Sequence, residues 1–280
     1  MKIIFSRKGF DTGSGGCPSP IIDGIPYSLP IPGSEMFGNT RNYGNLVNIK
    51  CNLITDLTNG KFSKQNICHL DPDINITSVP RLSEWRGSFG QAAAAQGHLR
   101  NQNVANGDIF LFWGLFQEVE FAEKWKFIGM PKHMIWGWMQ IGEILSLGKD
   151  GSHILETKPW LEGHPHTTSN WDANNTIYVA SDVMQHENWP HELASFGTFK
   201  QGYQLTQENM NVSTWNIPKW LNPKHGGSGM TYHRRNERWS EDTVKIVNRG
   251  QEFVTPDLEK NRQAIDWVFN LIKNHAYRPR

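Results

Sequence analysis

His69, Asp71 and Asp73 stand at alternate positions around Pro72. Side chains two apart share a face of an extended chain, so an imidazole and two carboxylates would meet there. Such a set suits Mg²⁺ binding or shared general acid/base work, although Asp-Pro-Asp is equally a good turn. A second pair, His164 and His166, flanks Pro165, with Glu162 and Asp172 as neighbouring oxygen donors. On a strand both imidazoles would point one way. No second His/Cys pair of standard spacing accompanies them, so the sequence assigns no metal site. His186 and His191 do not form a zinc-binding HExxH helix, because Trp189-Pro190 between them interrupts any helix.

Other segments carry groups suited to binding. Arg7, Lys8 and Asp11 open a glycine-rich loop whose N–H groups could cradle a phosphate, without the spacing of a P-loop. Gln91 and Gln96 bracket an alanine run that leads to His98; an amide can read a base edge, and a histidine titrates near neutrality. The most basic segment holds Tyr232, His233, Arg234, Arg235, Arg238 and Trp239. Arginines interleaved with aromatic rings suit phosphate contact and base stacking. The expected catalytic groups are therefore Asp11, His69, Asp71, Asp73 and His98. The expected binding groups are Arg7, Lys8, Gln91, Gln96, His233, Arg234, Arg235 and Arg238, with Trp85, Phe89 and Trp239 as aromatic walls. The N-terminal loop, residues 91–98 and residues 233–239 are expected to line one pocket, since each carries polar groups beside glycine or proline at an element end.

The elements that must position these groups are mostly strands. Residues 3–5, 109–113, 133–144 and 176–180 are apolar runs of strand length, and Gly137 and Gly142 within the third predict bends or close backbone approach. Five prolines between residues 18 and 32 favour extended edges and turns. The alanine run predicts a short helix ended by Gly97, and Asn106-Gly107-Asp108 a turn. Leu258, Ile265, Phe269 and Ile272 recur at helical spacing and predict a C-terminal helix starting at Pro256-Asp257. With no repeat or low-complexity linker, residues 1–280 read as a single domain. Its class is α+β: a curled, mostly antiparallel sheet or a small barrel, with a C-terminal helix.

Composition limits the function further. The chain carries 28 basic and 27 acidic residues, a net charge of +1, so no broad electrostatic grip holds a polyanion. A local basic patch remains compatible with that balance. Twelve tryptophans and 14 phenylalanines supply rings for a core and for stacking. Three cysteines without a CxxC pair imply reduced thiols. No stretch approaches the roughly 20 apolar residues of a spanning helix, and the apolar start is too short for a signal peptide, so a cytoplasmic protein is expected.

The turn at Gly107-Asp108, its apolar strand and the later strand with Gly137 and Gly142 resemble the centre of PUA-like barrels, a group that includes ASCH, EVE and YTH domains. Several of those hold a flipped or modified base in an aromatic pocket. A wider resemblance runs through residues 6–11, 18–21, 28–32, 69–73, 89–91, 96–99, 107–112, 164–166, 175–181, 232–233, 238–239 and 249–254. These segments, in this order, are similar to the third nucleotide modification associated domain family. That family is named for genes lying beside DNA-base modification genes in phages and bacteria. The resemblance implies work on nucleic-acid bases or nucleotides, with DNA or a nucleotide as partner. It leaves three forms open: a modifying enzyme, a non-catalytic reader of a flipped modified base, and a metal-dependent nuclease. It names neither a cofactor nor an oligomeric state.

Overall fold

The computed structural model describes residues 1–34, 41–47, 49–184, 186, 189, 193–248, 250 and 252–276. Of the segments read above, Pro190, His191, Arg249 and Gln251 lie outside them.

In chain order the elements are β1 (Ile3–Arg7), β2 (Ser19–Ile22), β3 (Ile25–Pro26), β4 (Ile31–Pro32), α1 (Leu53–Leu57), β5 (Cys68–His69), β6 (Ser88–Gln91), α2 (Ala93–Asn101), β7 (Ile109–Phe121), β8 (Trp125–Phe127), β9 (Lys132–Ser146), β10 (Thr176–Ala180), β11 (Phe196–Gln204), β12 (Thr214–Asn216), β13 (Thr243–Lys245), β14 (Glu252–Val254) and α3 (Arg262–His275). The main sheet runs β14-β1-β7-β9-β10-β6. Its pairings are antiparallel except that β1 and β2 both lie parallel to β7. The class is thus α+β, with a mixed, mostly antiparallel sheet and a C-terminal helix.

Period-two alternation along β7 builds two cores from one strand. Ile109, Leu111 and Trp113 face one way, into a cluster with Ile135, Trp138, Phe199, Trp215 and the buried side of α3. Phe110, Phe112 and Phe116 face the other way, against Phe89, Trp136, Met139 and Tyr178. Register shifts at Phe112/Trp113 and at Val179/Ala180 add twist and bend the long strands inward. Gly142 permits the closest approach in this bend, since a Cβ there would lie 2.5 Å from Ser181 Cα.

The curl brings the two ends of the sheet face to face. Gln91 Nε2, on β6, donates to Glu252 Oε1, on β14, at 2.7 Å, and Lys8 Nζ reaches the same oxygen at 3.0 Å. A ladder of backbone bonds does not join these edges among the described residues; side chains span the seam instead. The sheet therefore curls without closing, and the small-barrel alternative gives way to an open, curled sheet.

Two helix boundaries differ from the sequence reading. Gly97 lies inside α2, which continues to Asn101, because Leu99 is fully buried beneath it and packing outweighs the modest helix cost of glycine. The C-terminal helix begins at Arg262, where the Asn261 side chain accepts the Ala264 N–H, rather than at Pro256-Asp257. Ile265, Val268, Leu271 and Ile272 form its buried stripe. Among the described residues no helix is long and apolar enough to cross a membrane.

Candidate functional site

The proline-rich N-terminal segment places the first working group. β4 pairs antiparallel with β5 and sets Ile31 opposite His69, which fixes His69 at the mouth of a cleft of about 570 Å³ beside the seam. Two residues on, Asp71 turns inward. Its Oδ1 accepts the Gly90 N–H at 2.7 Å, and His164 Nε2 stands 3.5 Å from that oxygen. Its Oδ2 lies 3.9 Å from His69 Nε2 and 3.8 Å from His166 Nε2. One carboxylate is thus ringed by three imidazoles.

His164 and His166 do not sit on a strand. Residues Pro165–Thr167 form a 3₁₀ turn whose N-cap is His164, with Nδ1 accepting the His166 N–H at 3.2 Å. The turn swings both rings toward Asp71. Glu162 and Asp172, the oxygen donors named with them, do not join the cluster: both are exposed, and the Asp172 carboxylate holds the Asn174 N–H. Trp171 stacks on His166 with centroids 3.9 Å apart, and Asn175 binds the far side of the same ring, with 2.6 Å between Nδ1 and Oδ1.

Electrostatics follow from burial. Burial alone would raise the Asp71 carboxyl, but the His164 hydrogen and the fields of the three imidazoles outweigh it and hold the group down at about 2. Burial lowers His69 to about 4 and His166 to about 3, only partly opposed by the Asp71 charge. At neutral pH Asp71 is therefore a carboxylate facing the neutral imidazoles of His69 and His166.

The other expected residues divide between places. Arg7, Lys8, Asp11 and Gln91 line the same cleft as His69 and Asp71. Asp11 is not a free base, since Oδ1 accepts the N–H groups of Gly13 and Ser14 and Oδ2 pairs with Arg7 at 2.7 Å. Those two loop N–H groups are accordingly spent within the loop and do not cradle a phosphate. His98 lies in a second cleft of about 800 Å³, with Tyr232, Arg234, Arg235, Arg238 and Lys245. The two clefts meet at Asn248. Residues expected in one pocket thus occupy two adjoining ones.

Several expected residues serve the fold. Asp73 turns away from His69 and forms a buried, two-pronged pair with Arg81, because the chain forms a bridge there with Ser88. Gln96 is buried and accepts the Tyr178 hydroxyl at 2.9 Å. Phe89 and Trp239 are core rings, 0% and 2% exposed, and do not wall a cleft. Trp85 lines a separate hollow, stacked under Arg81 at 4.0 Å. His233 has both ring nitrogens engaged, Nε2 accepting the Val247 N–H and Nδ1 donating to the Thr231 carbonyl.

The model of one family, nucleotide modification associated domain 3, matches residues 2–256. The chain belongs to this family. No curated protein and no solved structure matches it. The description of the nucleotide modification associated domain ties the chain to nucleotide modification in general. The match spans the His69–Asp71 segment, the His164–His166 turn and both clefts, and it ends before α3.

Sequence reasoning passed over four parts of this site: Gly90, Trp171, Asn175 and Glu252. Gly90 and Asn175 act through a backbone N–H and an amide aimed at another side chain, which no spacing rule reveals. The His164-Pro165-His166 triplet was itself the signal for the turn, but its partners lie about ninety residues away in the chain.

Proposed function

We propose that the protein is an enzyme acting on nucleotides or nucleic-acid bases, with the reacting group held against Asp71 and its imidazoles and the phosphates in the arginine-lined cleft. The observation that carries this reading is the meeting of the two clefts at Asn248. One supplies an ionised carboxylate with the neutral imidazoles of His69 and His166, the groups that move protons or hold a cation. The other supplies cations and an exposed ring. Tyr232 is 38% exposed and sits 4.6 Å from His98, a platform of the kind on which bases stack.

The cations of the first cleft favour this division of labour. Arg7 is paired with Asp11 and Lys8 with Glu252, so neither offers an unspent charge to a phosphate. Among the described residues of the second cleft, Arg234 has no acidic partner, and the Arg235 contact with Glu237, at 3.8 Å between exposed side chains, contributes little. A non-catalytic reader needs a sandwich of rings around its base. Phe89 and Trp239, which would have formed one, are core residues, and a reader has no use for a buried carboxylate among histidines.

The test is binding of labelled single- and double-stranded DNA, followed by fluorescence anisotropy across a salt series. Arg234→Ala and Arg238→Ala should each weaken binding and reduce the salt slope by about 1. Affinity unchanged at every salt concentration would refute the assignment of this cleft to phosphates.

A further inference from the structure

The cluster around Asp71 has a proton too few. Asn175 Nδ2 donates to the His166 carbonyl at 2.9 Å, and a carbonyl only accepts, so the amide cannot be turned over. Asn175 Oδ1 therefore faces His166 Nδ1, which must carry the ring's proton. His166 Nε2 is left with a bare lone pair, aimed at Asp71 Oδ2, itself a bare acceptor, 3.8 Å away. His69 Nε2 approaches the same oxygen at 3.9 Å. Two acceptors facing one another in a buried site repel unless a cation lies between them.

We infer that His69, Asp71 and His166 form a mononuclear site for a divalent first-row transition-metal ion, with the wall of the first cleft supplying the remaining surroundings. One atom from each residue lies within 4.8 Å of the others, so shifts of a few tenths of an ångström bring all three to the roughly 2.0–2.2 Å bonds of such ions. Two imidazoles and one carboxylate select a zinc- or iron-like ion over magnesium or calcium, which take oxygen ligands. Three protein ligands, rather than four, are the mark of sites that keep a position for water or substrate.

The surroundings are those of a metal centre. Asn175 fixes the His166 tautomer, as an outer partner does for a ligating imidazole. Gly90 N–H anchors Asp71 Oδ1 and leaves Oδ2 for the ion. His164 is not a ligand: its Nδ1 accepts a backbone N–H, so Nε2 carries the proton. That nitrogen is buried and faces Asp71 Oδ1 at 3.5 Å, a position from which it orients the carboxylate.

This inference rests on the reading of the cleft as catalytic, and its test is separate. The full-length chain, stripped with chelator, is titrated with Co²⁺ and then with Zn²⁺. One Co²⁺ per chain with visible d–d absorption, displaced by one Zn²⁺, is expected. His69→Gln and His166→Gln should abolish uptake with the circular dichroism unchanged, His153→Gln should not alter it, and Asn175→Ala should weaken it about 10–100-fold. X-ray absorption at the zinc edge of the unmodified chain needs no variant to fold; two imidazoles with oxygen are expected, and a shell containing sulfur would overturn the site. No stoichiometric uptake of either ion, or uptake unaltered in His166→Gln, would also overturn it. DNA binding by the stripped chain separates the two ideas: retained binding without metal uptake defeats this inference alone, whereas metal uptake without binding defeats only the phosphate reading.

Discussion

Asp71 and Asp73 are two residues apart and chemically identical, yet their surroundings give them different work. Asp73 meets Arg81 with both oxygens, and Arg81 also reaches the Asn75 carbonyl and Ser78 Oγ. Both side chains are nearly buried. Removing one partner of such a pair strands the other, at a cost of about 3–5 kcal/mol. Asp73→Ala should therefore lower stability by that order in urea denaturation, whereas Asp71→Asn should leave the unfolding midpoint close to that of the unmodified chain and abolish turnover. Equal midpoints for the two variants would contradict this division.

At the scale of elements, strand β6 does two jobs. Gly90 pairs with Ile177 of β10, and its missing side chain is the seat of the His166 ring, whose Cδ2, Cγ and Nε2 a Cβ would meet head-on. Its backbone is not in the left-handed region, so alanine is tolerable locally and the clash falls on the histidine. Gly90→Ala should displace His166 and remove activity, with a smaller loss of stability than a core truncation. A crystal structure of the variant with His166 unmoved would refute the point. One residue along, Gln91 spans the seam to Glu252, whose charge is compensated by Lys8. Glu252 is 1% exposed, so Lys8→Met leaves a buried carboxylate unpaired and should cost about 3–5 kcal/mol. Adding Glu252→Gln should restore part of that loss, read as the coupling in a double-mutant cycle; strictly additive effects would show that the seam does not depend on the pair.

Over the whole molecule, buried neutral histidines set the response to acid. Burial lowers His133, which accepts the Trp215 indole N–H, to about 3, with Arg7 adding to the effect. Burial lowers His233 to about 4, against the Thr231 hydrogen bond and with the Arg238 charge. In the unfolded chain a histidine titrates at about 6.5. The unfolded state therefore binds more protons between these values, so this part of the stability is complete above about pH 6.5 and is lost as pH falls toward 4 and then 3. The slope is up to about 1.4 kcal/mol per pH unit for each such group. Melting temperature should fall steadily from pH 7 to pH 4.5, and His133→Gln, which keeps an acceptor for Trp215, should flatten the fall. A midpoint independent of pH over that range would refute the account.

The strands of the sequence were legible because their information is local. Period-two alternation in residues 109–113 dictates two faces wherever that strand lies, and the glycines of residues 133–144 announced a bend that Gly142 supplies against Ser181. Residue chemistry likewise marked His69, Asp71 and the His164-Pro165-His166 triplet as reactive types. What local information could not decide was which of them meet. Asp73 shares the spacing of Asp71 but is drawn off by Arg81, and His98, the same residue type as His166, lies in the other cleft. Phe89 and Trp239 are suitable stacking rings by type, but the curl of the sheet buries both. The convergence of His69, Asp71 and His166 depends on a β4–β5 pairing, on a 3₁₀ turn and on the cavity left by Gly90, three features far apart in the chain. The sequence determined the strands and the chemical types; the tertiary structure decided their company, because contacts between distant segments are set by how the whole sheet curls.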